Sequence, residues 1–367
     1  MEPLNIVQVT HAFPPYMGGL SHVVKCLSLN LIELGHKVKV VTLDPNHRGL
    51  RSENYEGVEI RRFSSFAPSN AYFLPSPAAL NYLRKVEADI VHAHNIGSLF
   101  VPACWFALRG RLNDIGFVIS PHHHFEGSLW HTQMLRKPYI PVARYVIKSA
   151  DEIHCVSRFE ADLVREAFFR EPVVIQNGIS EDVLDFRWEP PDDEMILMYA
   201  GRLEKYKRVN VLVEAASIVS REVPNVTLRI IGNGSDLSNI LSLAAKLNVK
   251  IEHYDFLPRA DYLSLMSTSN YFVNLSEYEA FSIVVAEAIS IGLNVVAALP
   301  WGITFESFNN VRLVNGGSAV QTARSILDLK NKKMKLNSHG KILFWSQVAQ
   351  QMVEEIYLPL LASKRNG

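Results

Sequence analysis

Short, almost uninterrupted apolar runs alternate along this chain with longer segments in which apolar residues recur every three or four positions. A short apolar run bounded by turn residues predicts a buried strand, and the longer spacing predicts an amphipathic helix. In the N-terminal half the predicted strands are NIVQVTH, KVKVVTL, ADIVHAH, GFVISPH and EIHCVS, and the helix after the first is LSHVVKCLSLNLIELGH. Continuous apolar strands separated by helices are typical of a parallel sheet covered on both faces.

The C-terminal half repeats this alternation after a polar, proline-rich segment, DFRWEPPDDE, which is typical of a linker. Its predicted strands are MILMYAGR, VTLRIIGNG, YFVNLS and NVVAA, and its predicted helices are RVNVLVEAASIVSREV, LSNILSLAAKLN and FSIVVAEAISIG. The last apolar segment, ILFWSQVAQQMVEEIYLPLLA, predicts an amphipathic helix. The chain is therefore predicted to be an α/β protein with two doubly wound, Rossmann-like domains, residues 1–185 and 186–344.

Composition narrows the possible functions. The 367 residues include 37 basic and 37 acidic side chains, so a general attraction to nucleic acid is not expected. Three widely spaced cysteines do not make a disulfide framework and fit a reduced, cytoplasmic compartment. The start MEPL lacks the basic region of a secretory signal. The longest uncharged apolar stretch, Ile96 to Leu108, is shorter than the roughly 20 residues that span a bilayer.

Open parallel sheets bind ligands at the carboxyl ends of their strands, so two such domains predict a site in the cleft between them. The stretch SEYEAFSIVVAEAISIG follows a predicted strand and carries Glu279 near the start of a helix, with Glu287 about two turns further on. Free N–H groups at a helix start bind phosphate, and the two carboxylates can accept hydrogen bonds from sugar hydroxyls. The alternative interpretation is purely structural: the helix dipole stabilises a carboxylate at the helix start, and an ion pair within the fold accounts for the rest.

Two further strand-to-helix junctions carry candidate ligand-binding residues. In YAGRLEKYKR, Arg202 and Lys207 can neutralise a departing diphosphate, although a solvated basic loop has the same composition. In HAFPPYMGGL, Gly18 and Gly19 permit close approach of the backbone to a ligand at a helix start. This loop lacks the G-x-G-x-x-G spacing, which disfavours nicotinamide binding.

Most of the 13 histidines lie in the first half, several at predicted strand ends. His92 and His94 alternate along one strand and therefore share a sheet face, and His122 opens a run of three histidines. Neither a Cys/His framework nor H-E-x-x-H accompanies them, so no metal site is expected. Hydrogen bonding of neutral histidine to a hydroxylated substrate is the preferred interpretation.

The segment from Trp130 to Lys148 has four basic residues and no acidic ones, with aromatic side chains between them. One interpretation is peripheral contact with an anionic membrane surface, which would place the protein on the inner face of the membrane. The other is an ordinary basic face beside the acceptor side of the cleft.

Taken together, these segments resemble the retaining GT-B-fold glycosyltransferases of family 4, the glycosyl transferases group 1 type. The resemblance covers nearly the whole chain. It rests on HAFPPYMGGLSHVVKCLSLNLIELGHKVKVVT, ADIVHAHN, IHCVSRFEADLV, VIQNGIS, YAGRLEKYKRVNVLVEAA, LRIIGNGSD and LSEYEAFSIVVAEAISIGLNVVAA. Several ordered motifs are far more specific than any one of them.

The resemblance implies an enzyme that moves a sugar from a nucleoside-diphosphate sugar to a hydroxyl acceptor, with the donor as substrate and without a cofactor or metal. The acceptor would be a polysaccharide, a lipid-linked glycan or a small molecule. The implied catalytic residues are Arg202, Lys207, Glu279 and His122. The implied donor-binding residues are Gly18, Gly19, Gly232, Ala280, Phe281, Ser282, Ile283 and Glu287. The helix at about 345–367 would return to the first domain.

Some positions depart from the family pattern: Ser180 replaces a frequent Asp, Arg208 a frequent Gly and Asn294 a common Pro. These positions lie in loops and are not among the charged candidate residues. They therefore bear on which donor sugar and which nucleotide base the protein uses. Two rival functions stay open at this point, a sugar-nucleotide epimerase and a non-catalytic glycosyltransferase-like scaffold subunit.

Overall fold

The computed structural model describes residues 2–16, 18–44, 51–66, 74–122, 130–329 and 341–366. It divides into two compact units. The first unit is Met1–Gly178 together with Leu343–Gly367, and the second is Ile179–Ile342.

The first unit is built on a mostly parallel sheet. Its strands are β1 (Asn5–Val9), β2 (Lys37–Asp44), β3 (Arg51–Tyr55), β4 (Val58–Phe66), β5 (Leu74–Pro75), β6 (Ile90–His94), β7 (Gly116–Ser120), β8 (Glu152–Cys155) and β9 (Val173–Val174). Its helices before the second unit are α1 (Gly19–Glu33), α2 (Pro77–Lys85), α3 (Phe100–Leu108), α4 (Trp130–Lys148) and α5 (Arg158–Phe168). The strand order is β3-β4-β2-β1-β6-β7-β8-β9, and β5 pairs with β4.

The alternation seen in the sequence accounts for this sheet. Strands β6 and β7 are buried at every position, as expected where helices cover both faces. The edge strand β3 differs from these central strands, because it pairs antiparallel with β4 and is mostly exposed. Its sequence RSENY contains no apolar run, so hydrophobic patterning gave no signal for it.

The C-terminal residues complete the first unit. Helix α11 (Trp345–Gln351) continues through a π-helical turn (Met352–Tyr357) into α12 (Leu358–Asn366). This segment packs so closely that a Cβ on Gly178 would lie 2.6 Å from the backbone nitrogen of Trp345. A Cβ on Gly116 would likewise lie 2.8 Å from Leu360 Cδ2. Gly178 therefore requires glycine, because the clash is with backbone, whereas at Gly116 the side chains of Ile90 and Leu360 would have to move.

The second unit has a parallel sheet in the order β12-β11-β10-β13-β14-β15. Its strands are β10 (Met195–Ala200), β11 (Val226–Ile231), β12 (Lys250–Tyr254), β13 (Tyr271–Asn274), β14 (Asn294–Leu299) and β15 (Val311–Asn315). Its helices are α6 (Val209–Val219), α7 (Leu237–Leu247), α8 (Arg259–Ser267), α9 (Ile283–Ile291) and α10 (Ala319–Leu329). The 3₁₀ turns are Glu181–Asp185, Lys205–Lys207 and Trp301–Phe305. The prediction of two parallel-sheet α/β domains is confirmed.

Candidate active site

The carboxyl ends of β10 and β13 bring Lys207 and Glu279 into direct contact in the second unit. Lys207 Nζ donates to Glu279 Oε1 at 2.6 Å, although 72 residues separate them in sequence. Their side chains are only 13% and 17% exposed. Burial alone raises the pKa of Glu279, but attraction to the Lys207 ammonium and hydrogen bonds to the carboxylate outweigh it, so the pKa is lowered. Glu279 is therefore a charged acceptor at neutral pH.

Asn274, the last residue of β13, organises the turn between this ion pair and α9. Its Nδ2 donates to Glu279 Oε1 at 3.3 Å and to Ser282 Oγ at 3.0 Å. Its Oδ1 accepts from the backbone N–H of Ser276 at 3.0 Å. Because strand and helix start are tied through one amide, the carboxylate is held in place beside the beginning of the helix. Sequence reasoning missed Asn274, and the only signal was a polar residue ending an apolar strand.

The predicted donor-binding stretch from Ala280 to Ile283 lies at this helix start. Helix α9 begins at Ile283 rather than at Phe281 as predicted, because Ser282 has extended backbone and occupies the N-cap position. Phe281 is buried and packs on Phe305, with ring centroids 5.3 Å apart. Ala280 and Phe281 therefore belong to the turn that leads from Glu279 into the helix.

Arg202 is exposed and joins the same surface through Tyr206. Arg202 Nη2 donates to the Tyr206 hydroxyl at 2.8 Å, and the Tyr206 carbonyl accepts from the N–H of Glu277 at 2.7 Å. Lys207 Nζ lies 5.0 Å from the centroid of the Tyr206 ring. The structure thus brings both predicted cations to one tyrosine.

Gly232 is required by the backbone next to Arg202. Both Gly201, after β10, and Gly232, after β11, have positive φ, at 148° and 143°. A Cβ on Gly232 would overlap the carbonyl oxygen of Gly201. The glycines therefore let two strand ends approach each other, which any side chain would prevent.

Glu287 lies in the middle of α9, and each of its oxygens has a partner within the unit. Arg259 Nη1 donates to Oε1 at 2.5 Å, and the Tyr262 hydroxyl donates to Oε2 at 2.8 Å. Arg259 also bonds Asp182 in a bidentate pair. Burial raises the pKa of Glu287, and attraction to Arg259 only partly offsets it. Sequence reasoning missed Arg259 and Tyr262, because neither lies near Glu287 in sequence.

In the first unit, Gly18 precedes α1 and Gly19 is its first residue. A Cβ on either glycine would meet no atom within 4 Å. Among the described residues no neighbouring group demands glycine there, so the space beside this helix start is open.

His122 belongs to a set of stacked imidazoles at the ends of β6 and β7. Its Nε2 lies 3.0 Å from His94 Nδ1, and the two rings stack with centroids 5.3 Å apart. His94 Nε2 donates to Gln8 Oε1 at 2.6 Å, so its Nδ1 accepts and His122 Nε2 donates. Burial lowers the pKa of His122 to about 3, with a smaller contribution from His154. His122 is therefore a neutral imidazole with Nδ1 as an acceptor.

A second chain of hydrogen bonds runs from the C-terminal segment through His92. His154 Nε2 donates to the carbonyl of Ile175 at 2.8 Å, so its Nδ1 accepts from Ser120 Oγ at 2.7 Å. Ser120 in turn accepts from His92 Nε2 at 2.7 Å, and Tyr357 donates to His92 Nδ1 at 2.8 Å. Because the Ile175 carbonyl can only accept, it determines which group donates in each hydrogen bond of this series.

The described ranges contain no group of three or more His, Cys, Asp or Glu arranged to hold a metal ion. His123 and His124 lie outside the described residues. Among the helices that the structure describes, none has the length and apolar character needed to cross a membrane.

Comparison with known families gives a match over each half of the chain. Glycosyltransferase Family 4 matches residues 17–183, and Glycosyl transferases group 1 matches residues 180–339. The second match contains Arg202, Lys207, Glu279 and Glu287.

Curated relatives with similar sequences are glycosyltransferases. A phosphatidylinositol N-acetylglucosaminyltransferase component of Arabidopsis thaliana is 24% identical over 95% of this chain and 80% of its own length. GDP-mannose:cellobiosyl-diphosphopolyprenol alpha-mannosyltransferase of Xanthomonas oryzae pv. oryzae is 27% identical over 79% of this chain and 77% of its own length.

Solved structures share the fold. Sucrose-phosphate synthase from Thermosynechococcus elongatus superposes with a TM-score of 0.79 at 19% identity, covering 98% of this chain and 100% of that one. Anabaena HepE in complex with UDP and glucose gives a TM-score of 0.69 at 16% identity, covering 99% and 98%.

Proposed function

This chain belongs to the family 4 glycosyltransferases of GT-B fold and is a transferase of the EC 2.4 type, and on that premise we propose its substrates and the roles of its residues. The proposed reaction moves a sugar, with retention at the anomeric carbon, from a nucleoside-diphosphate sugar to a hydroxyl acceptor. The contact between Lys207 and Glu279 beside the start of α9 is the observation that carries this proposal.

Lys207 and Arg202 are proposed to hold the donor diphosphate. The leaving diphosphate gains negative charge as the sugar departs, so nearby cations stabilise the transition state more than the bound donor. Glu279 and the Tyr206 hydroxyl are the present partners of these two cations. A diphosphate would share Lys207 with Glu279, and the free N–H groups where α9 begins would add donors.

Glu279 is proposed to accept hydrogen bonds from hydroxyls of the transferred sugar, because its lowered pKa keeps it charged. The backbone from Ala280 to Ile283 and the loop at Gly232 would contact the donor. Glu287 is proposed to bind the nucleotide ribose, with Arg259 and Tyr262 orienting its carboxylate.

Within the first unit, His122 and Gly19 are proposed to contact the substrates. The neutral His122 imidazole has an unprotonated Nδ1, which suits a sugar hydroxyl as hydrogen-bond donor. Gly18 and Gly19 would approach the diphosphate with their backbone.

The acceptor is proposed to be a hydroxylated glycan: a polysaccharide, a lipid-linked glycan or a small-molecule glycan. The names of the Arabidopsis and Xanthomonas relatives contain a phosphatidylinositol and a diphosphopolyprenol, which favours a lipid-linked acceptor here. The Xanthomonas name contains GDP-mannose and the Anabaena complex contains UDP, so GDP-sugars and UDP-sugars are both candidate donors.

Donor binding tests these roles directly. Thermal shift with UDP-, GDP-, ADP- and CDP-sugars should identify one donor, since a ligand stabilises the fold that binds it. Lys207→Ala and Arg202→Ala should each weaken binding of that donor about tenfold or more, because a charge-assisted contact is lost. Lys205→Ala is the matched control, an exposed lysine in the same 3₁₀ turn.

Transfer activity then separates the rival functions. An epimerase would convert the nucleotide sugar without any acceptor, which chromatography would show. A scaffold protein would bind none of the donors. Transfer should persist in EDTA, and full activity in either Lys207→Ala or Arg202→Ala would overturn the residue roles.

A further inference from the structure

Two series of hydrogen-bonded side chains lie on neighbouring strands of the first unit. One series joins Gln8 of β1 to His94 and His122. The other begins at the Ile175 carbonyl and ends at Tyr357 in the π-helical turn. Their side chains are buried, except that His122 is half-buried at the end of the first series. Of all these groups, only His122 has a role in the proposed function.

The Gln8 side chain connects the two series. Its Oε1 accepts from His94 Nε2 at 2.6 Å, and the side chain also hydrogen-bonds the Tyr357 hydroxyl. That second hydrogen bond opposes the rise in the pKa of Tyr357 that burial causes. A hydrogen bond that lowers the pKa of a phenol is donated to its oxygen, so Gln8 Nε2 is the donor. Gln8 Nε2 is buried and has no other partner among the described residues.

The direction of donation follows from the Ile175 carbonyl, which can only accept. His154 therefore donates from Nε2, and its Nδ1 accepts the proton of the Ser120 hydroxyl. Ser120 Oγ then accepts from His92 Nε2, and His92 Nδ1 accepts from Tyr357. Each of these steps needs a neutral imidazole with one donor and one acceptor, and burial lowers the pKa of both histidines.

The same direction continues through Gln8 to His122. Since the only proton of the Tyr357 hydroxyl is used on His92, its oxygen accepts from Gln8 Nε2. Gln8 Oε1 therefore faces His94 Nε2 as an acceptor, and His94 Nδ1 accepts from His122 Nε2 at 3.0 Å. The proton of the neutral His122 ring is thereby placed on Nε2, and Nδ1 keeps its lone pair.

We propose that the two series act as one relay, from the Ile175 carbonyl through Tyr357 and Gln8, and that Tyr357 and Gln8 are positioning residues that set the tautomer of His122. This inference rests on the proposed contact between His122 Nδ1 and a sugar hydroxyl. With the proton on Nδ1 instead, the ring could not accept that hydrogen bond, so the tautomer decides whether the contact forms. A core built for stability alone would avoid so many buried polar groups, since each must be paired.

The tautomer is measured on the full chain with ¹⁵N-labelled histidine, without donor or acceptor, so the result does not depend on the proposed transfer reaction. Long-range ¹H–¹⁵N spectra distinguish the protonated from the unprotonated nitrogen of each ring. The His122 signals are identified by their loss in His122→Asn. We expect a single His122 tautomer with the proton on Nε2, and a proton on Nδ1 would overturn the proposal.

Tyr357→Phe breaks the relay by removing one hydroxyl while the ring is kept. Gln8 Nε2 then loses its acceptor, so the amide is no longer oriented and both His122 tautomers should be populated. Tyr139→Phe is the matched control, since the Tyr139 hydroxyl donates to the Ile96 carbonyl in the same unit but outside the relay. The control should lose similar stability in urea and keep the single His122 tautomer.

Transfer kinetics connect the tautomer to the reaction. In Tyr357→Phe, kcat/KM should fall at least about twofold, because only the fraction of His122 with the proton on Nε2 can accept the sugar hydroxyl. The size of the loss should match the inverse of that fraction in the spectra, while Tyr139→Phe stays near wild type. Ser120→Ala breaks the relay further from His122 and should shift both measurements in the same direction.

Two outcomes would overturn the positioning role: a single Nε2-protonated His122 in Tyr357→Phe, or two tautomers without any loss of kcat/KM. Absence of transfer by the wild type with every donor, together with the expected tautomers, would instead refute the proposed function and not the relay.

Discussion

The histidines at the strand ends of the first unit and the carboxylates around α9 in the second unit are both largely shielded from water, but the histidines are neutral whereas each carboxylate lies against a cation. His92, His94 and His122 are neutral, because burial lowers the pKa of each. Glu279 and Glu287 instead lie against Lys207 and Arg259. An imidazole loses its charge easily at neutral pH, whereas a carboxylate kept charged in such a place requires a cation.

The two glutamates also differ from each other. Glu279 has a lowered pKa, because Lys207 and the amide of Asn274 outweigh its burial. Glu287 has a raised pKa, because its burial outweighs the attraction to Arg259. The pKa values of two carboxylates on one helix and the turn before it are therefore shifted in opposite directions. This difference supports assigning sugar contact to Glu279.

The largest effect is expected from acid acting on the histidine cluster. Burial lowers the pKa of His154 to about 4, so the unfolded chain takes up a proton at a higher pH than the folded one. Stability from this group is complete above the unfolded value and is lost as pH falls through the folded value. Between pH 7 and pH 4 the wild type should therefore lose about 3 kcal/mol more of its unfolding free energy than His154→Gln does.

Urea denaturation of the wild type and of His154→Gln at pH 7, 5.5 and 4 measures this change. His253→Gln is the control, since His253 is a histidine of the second unit outside the cluster. Parallel pH profiles for wild type and His154→Gln would contradict the assignment of a neutral, buried His154.

A smaller effect is expected when the ion pair of the second unit is broken. Lys207→Met leaves Glu279 without its cation, and we expect the free energy of unfolding to fall by about 2 kcal/mol. Adding Glu279→Gln should restore part of that loss, because no charge is then left unpaired. Denaturation of the two single variants and the double variant measures the coupling, and simple additivity would show that the pair contributes nothing.

The smallest effect is expected in how the stability contributions of Glu279 and Glu287 change with pH. Glu279 contributes stability above the ordinary carboxyl pKa and loses it as pH falls through its lowered value. Glu287 contributes stability below the ordinary value and loses it as pH rises through its raised value. The unfolding free energy lost in Glu279→Gln should therefore increase with pH, and the unfolding free energy lost in Glu287→Gln should decrease. Urea midpoints at pH 4, 5.5 and 7 measure both trends, and trends of the same sign would refute the contrast.

Hydrophobic patterning predicted the central strands of both sheets, because these are buried runs of β-branched and other apolar residues separated by amphipathic helices. It did not predict β3, β4, β5, β9, β12 and β15. The exposed RSENY segment of β3, for example, is held by pairing with β4 rather than by its own pattern. It also placed the start of α9 two residues early, because the extended Ser282 separates Phe281 from the helix.

The sequence by itself determined the fold class, the order of the motifs and the candidates Arg202, Lys207, Glu279 and Glu287, because these follow from local spacing and from family resemblance. Only the tertiary structure decided their partners. Lys207, Arg259 and Gln8 meet their glutamates and histidines through strand ends and helix faces that are distant in the chain. Burial and pairing set each charge state, and both arise only when the sheets assemble.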